Sequence, residues 1–88
     1  MKLNRQEVTP KLIEIMNNIN CQPELYVEEN YDFSLTGGVL QWSEYDLIFL
    51  VMELIEEFGI TFDKADFENY RFNTINNVLD VICSKEIT

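Results

Sequence analysis

The sequence predicts an all-α domain: a small four-helix bundle with a long loop between its first and second helices and a short third helix. Three observations predict it. Eighty-eight residues, read as one domain over 1–88, can bury a single core of a few helices and little more. Apolar residues recur at helical spacing in three segments, and no alternation of apolar and polar residues runs long enough for a sheet. Hydrophobic residues make up 47% of the chain, too many for a disordered tail.

The first helix carries Val8, Leu12, Ile15, Met16 and Ile19 on one face and Lys11, Glu14, Asn17 and Asn18 on the other. Two starts fit. Asn4 with Glu7 has capping-box spacing but leaves Pro10 inside the helix, whereas Thr9 as cap puts Pro10 at the first helical position, where its missing N–H costs nothing. The Thr9 start is preferred on that ground.

From Cys21 to Trp42 no period holds, and Pro23, Asn30-Tyr31-Asp32 and Gly37-Gly38 mark turns. Loops this long are uncommon in compact domains. Tyr26, Tyr31, Phe33, Leu35, Val39, Leu40 and Trp42 are therefore expected to pin it to the bundle, with a short turn of helix inside it.

The second helix is the strongest segment. Ser43 followed three residues later by Asp46 is a capping-box-like start, and Gly59 stops the helix after Phe58. A helical wheel gives Leu47, Val51, Leu54, Ile55 and Phe58 as the apolar stripe, with Asp46, Glu53 and Glu57 opposite and Phe49 among those acids. Asp63 can cap a short third helix through Asp66 and Phe67, and Thr74 a last one carrying Ile75, Val78, Leu79 and Ile82.

Composition excludes several function classes. The net charge is −10, and no Lys or Arg stands between Lys11 and Lys64. Such a field repels nucleic acid and anionic lipid and steers basic protein surfaces inward. The longest mostly apolar run, Leu47 to Met52, is far short of a bilayer span, and the N-terminus lacks a signal-peptide pattern, so a soluble cytoplasmic monomer is expected. With no His, the commonest general base and metal ligand are missing, and catalysis by this chain is not expected. Asp63, Asp66 and Glu68 lack calcium-loop spacing, so no metal site is expected; Cys21 and Cys83 read as reduced thiols.

Three stretches in order carry a family resemblance. Leu50-Val51-Met52-Glu53-Leu54-Ile55-Glu56-Glu57-Phe58-Gly59-Ile60 resembles the acidic second helix of acyl carrier proteins. Asp32-Phe33-Ser34-Leu35-Thr36-Gly37-Gly38-Val39-Leu40 is similar to the loop before it, and Asn73 to Ile82 to the family's last helix. The resemblance implies a bundle of acyl-carrier-protein type. In that family the second helix opens on Asp-Ser-Leu, whose serine carries phosphopantetheine and, through it, acyl or aminoacyl groups as thioesters.

The chain departs from the family at that serine. Aligned back from Phe58, Ser43, Glu44 and Tyr45 fall on the three positions, so Glu44 stands where the modified serine would be. Aligned forward from Gly38-Val39-Leu40, Gln41 and Trp42 fall on the Asp-Ser pair. Ser43, one residue early, reads either as a shifted phosphopantetheine attachment site or as the N-cap of the second helix, and capping is preferred. Glu44 is read first as an ordinary first-turn acid and second as a charge standing in for the phosphate, stabilised by about 0.3 to 1 kcal/mol at a helix N-terminus.

By the resemblance, the second helix would be the face shown to a basic surface of a biosynthetic or modifying enzyme, with Glu44, Asp46, Glu53, Glu56 and Glu57 supplying charge and Met52 an adaptable apolar contact. Phe49, a ring among acids, is either an interface anchor or covered by the long loop. The expected function is an armless docking or scaffold module of a biosynthetic or peptide-maturation pathway. A functional carrier modified at Ser43 is the alternative.

Overall fold

A helix leaves four backbone N–H groups without partners at its start, so its beginning is set by a side chain able to accept from them. The computed structural model describes residues 3–70 and 72–85. Among these are three α-helices, α1 (Arg5–Ile19), α2 (Glu44–Phe58) and α3 (Ile75–Ser84), and two 3-10 segments, Glu28–Asn30 and Lys64–Tyr70. The architecture is all-α. The β-type pairing among the described residues is an isolated bridge between Ser34 and Thr74.

Local capping sets α2 and α3. Ser43 and Asp46 form a reciprocal capping box, Gly59 takes the left-handed conformation after Phe58, and Thr74 accepts from the Asn77 N–H. These ends lie where the capping pattern puts them.

The start of α1 does not. Asn4 is the cap, accepting from the Gln6 N–H at 2.8 Å, and Pro10 lies inside the helix. Thr9, the preferred start, is helical and donates its hydroxyl to the Arg5 carbonyl at 2.7 Å. The reason is tertiary. Starting at Arg5 buries Val8 completely and packs Leu3 on the core, and that burial offsets the hydrogen bond Pro10 cannot make.

The expected short third helix is the seven-residue 3-10 stretch Lys64–Tyr70, opened by the Asp66 carboxylate accepting from the Asp63 N–H. Phe62, Phe67 and Phe72 meet edge to face and tilted, with ring centroids 5.3 to 5.8 Å apart. Residues five apart share no α-helical face, so bringing these rings together works against a regular α-helix here. Lys85 ties the segment to the end of α3: its ammonium pairs with the largely buried Asp66 and lies 5.4 Å from the Phe62 ring centroid.

Both α2 and α3 pack on α1, which is the spine of the domain. Leu12 and Met16 of α1, Leu50 and Leu54 of α2, and Ile75, Val78, Leu79 and Ile82 of α3 are fully or almost fully buried. The long loop closes the core with Tyr26, Leu35, Leu40 and Trp42, and Tyr31 packs at its margin; Phe33 and Val39 face outward. The Tyr26 hydroxyl donates to the Asn20 carbonyl and accepts from the Trp42 indole N–H at 2.8 Å. Burial pushes this phenol above its ordinary value, an effect opposed by the hydrogen bonds from Gln22 and Trp42.

The buried line of α2 is rotated from the expected stripe. Leu50 and Leu54 form its centre, with Leu47, Val51 and Phe58 partly buried beside them, while Ile55 is 42% exposed. Leu54→Ala should therefore lower the unfolding free energy by about 2 to 5 kcal/mol and Ile55→Ala by less than about 1 kcal/mol, read from urea denaturation of the helical signal. Equal losses at the two positions would contradict this orientation of α2.

Candidate docking face and the start of α2

Once Leu50 and Leu54 point inward, the 3.6-residue repeat decides what points outward. Two rows emerge at i, i+4 spacing: Glu44, Ile48, Met52, Glu56, and beside it Tyr45, Phe49, Glu53, Glu57. Ile48 (56%), Phe49 (54%) and Met52 (58%) are exposed, as is Tyr45. The long loop does not cover Phe49. Sequence reasoning placed Phe49 and Met52 outward but missed Tyr45 and Ile48 as their neighbours. A signal was present: ten of the 15 residues of α2 are apolar or aromatic, more than one buried stripe of a helix accommodates.

The acids named from the sequence fall into two groups. Asp46 is half-buried, closes the capping box by accepting from the Ser43 N–H at 3.0 Å, and lies 3.5 Å from the Asn20 amide nitrogen. Glu57 accepts from the Lys11 ammonium at 2.7 Å, and that hydrogen bond together with the Glu57 charge holds the Lys11 ammonium above its ordinary value. Asp46 thus turns toward the end of α1, and Glu57, at the exposed end of the second row, pairs back to α1 through Lys11. Glu44, Glu53 and Glu56 are exposed and face outward with the apolar residues.

At the start of α2 the Ser43 hydroxyl oxygen accepts from the Asp46 N–H at 3.2 Å. Gln41, just before, takes a left-handed conformation at φ 57°, with its N–H on the Gly37 carbonyl and its side-chain amide on the Gly38 carbonyl. A non-glycine residue held there costs on the order of 1 kcal/mol, and here it turns the chain so that Trp42 enters the core while Ser43 stays outside. Glu44 has no hydroxyl to esterify, Trp42 is buried, and the hydroxyl of Ser43 is engaged as a cap between them.

Next to the outer face lies an apolar groove of about 500 Å³, between α2 and the aromatic segment that follows it. Leu47, Ile48, Val51 and Met52 form one wall; Phe67, Phe72 and Asn73 form the other. Asn73 is fixed to the loop, its carbonyl accepting from the Leu35 N–H and its side chain from the Ser34 hydroxyl at 3.0 Å. Among the described residues no helix is long and apolar enough to cross a membrane.

Compared with family models, curated proteins and solved structures, the chain has no match.

Removing the cap tests the role given to Ser43. Ser43→Ala should lower stability by about 1 kcal/mol, whereas Ser43→Asp, which keeps an acceptor at the cap, should stay within about 0.5 kcal/mol of the original chain, both measured by urea denaturation. A neutral Ser43→Ala would leave the hydroxyl without this structural task.

Proposed function

We propose that this chain is a docking module of acyl-carrier-protein type, a carrier-like helical bundle that presents α2 to a basic surface of a biosynthetic or peptide-maturation enzyme and bears no phosphopantetheine arm. The observation that carries the reading is the outer face of α2, where Tyr45, Ile48, Phe49 and Met52 stand exposed between Glu44, Glu53 and Glu56. An exposed apolar patch rimmed by charge of one sign suits a partner that is apolar at its centre and cationic at its rim. A protein of net charge −10 would meet such a partner with an accelerated, salt-sensitive on-rate.

Glu44 supports the armless reading, because it keeps a negative charge at the N-terminus of α2 without a group that can be modified. The competing reading, a working carrier loaded on Ser43, is favoured by the exposure of that residue. On the docking reading the module acts in the cytoplasm as a monomer and holds an enzyme or its substrate in place. It performs no chemistry of its own.

Incubation with coenzyme A and a broad-specificity phosphopantetheinyl transferase should leave the intact mass unchanged. A mass gain of one arm that vanishes in Ser43→Ala would establish the carrier instead. In cells of the native host, a photo-crosslinking residue at position 49 should trap a protein with a basic surface. Glu53→Lys with Glu56→Lys should reduce that product by at least about tenfold without loss of helical signal. An undiminished product would remove charge from the reading.

A further inference from the structure

Segment 61–68 is bounded by apolar burial but held at its middle by charge. Ile60 before it and Phe72 beyond it are buried in the core. Between them, Asp66 is the buried residue of 61–68, Phe62 is half-buried, and Thr61, Asp63, Lys64, Ala65, Phe67 and Glu68 are exposed. A stretch that buries so little apolar surface gains little from the hydrophobic effect, and 3-10 hydrogen bonds are poorer in geometry than those of an α-helix. Its tie to the bundle is polar. The Asp66 carboxylate accepts from the Asp63 N–H at 2.8 Å and pairs with the ammonium of Lys85, the C-cap residue of α3, the two side chains being 11% and 18% exposed. The same ammonium lies over the Phe62 ring, so one cation holds both a carboxylate and a ring of this segment. Removing either charge of such a pair leaves the other buried without this counter-charge.

We infer that residues 61–68 form a strap that lifts as a unit while the three α-helices stay folded, and that Lys85, reaching across from the end of α3, is its latch. Phe67 belongs to the strap and to one wall of the groove beside α2, so lifting widens the groove from that side. The facing wall, Leu47, Ile48, Val51 and Met52, stands on a helix fixed in the core by Leu50 and Leu54 and does not follow. The end of α3 thereby sets how often the groove stands open. This device is independent of the docking reading: it concerns one wall of the groove, whatever α2 meets.

The test is amide hydrogen exchange of the full chain, read by NMR without urea and at low urea. The N–H of Asp66, bonded to the Asp63 carbonyl at 3.1 Å, reports on the strap, and those of Leu12 in α1 and Leu79 in α3 report on the core. Protection at position 66 should be at least about tenfold lower than at Leu12 and Leu79, and it should stay flat at low urea while theirs falls. Lys85→Gln and Asp66→Asn, each removing one charge of the pair, should lower protection at position 66 by a further factor of about ten, and Lys85→Arg, which keeps the charge, by less than about threefold. Protection at position 66 that matches Leu12 and Leu79 in size and urea dependence overturns the inference, because the segment then opens only with the whole fold. Protection at position 66 that Lys85→Gln and Asp66→Asn leave unchanged overturns it as well, because the pair then survives the opening or adds nothing to its cost.

Discussion

The packing of Leu50 and Leu54 against α1 is the constraint on which the other features depend. With these two side chains inside, the helical repeat leaves no choice about which residues of α2 face water. Ten of its 15 residues are apolar or aromatic, and the helix it packs on most is α1. Part of its apolar surface therefore stays uncovered. The capping box at Ser43 and the left-handed Gly59 fix where the helix begins and ends, so the uncovered face has a defined length.

That face has a defined electrostatic character. Asp46 closes the cap and the exposed Glu57 pairs with Lys11 on α1, so Glu44, Glu53 and Glu56 are the carboxylates of α2 most open to a partner. Repulsion among carboxylates opposes the approach of exposed rings of separate copies, at some cost to the compact state. On the docking proposal the same charge attracts a cationic surface, which then reaches Phe49 and Met52. Specificity on this account comes from the acids and affinity from the apolar residues.

What could be read from the sequence was what is decided locally. Ser43 with Asp46, Thr74 and Gly59 mark helix ends because a cap is a contact between near neighbours, and these ends stand where expected. The beginning of α1 was misread because the cost of Pro10 is local, while the burial of Val8 that outweighs it is tertiary. The rotation of α2 was likewise hidden: a helix apolar over most of its circumference does not declare which side its neighbour takes, so Ile55 was placed inward and Leu50 left out of the stripe. In segment 62–72 a short helix capped by Asp63 was expected where a 3-10 stretch stands, and its aromatic wall exists through contacts that periodicity does not encode. At the candidate site, the cap at Ser43 and the place of Phe49 away from the core stripe were legible. The groove was not, since half of it comes from that wall.

The central claim, that α2 turns Leu50 and Leu54 inward and leaves Ile48, Met52 and Ile55 open, is tested most directly by methyl NMR with a neutral, soluble paramagnetic agent. The account predicts strong relaxation enhancement at the methyl groups of Ile48, Met52 and Ile55 and protection at Leu50 and Leu54. Protection at Ile48 and Met52 in the isolated, monomeric chain would mean that the outer face of α2 is covered from within, and would contradict it.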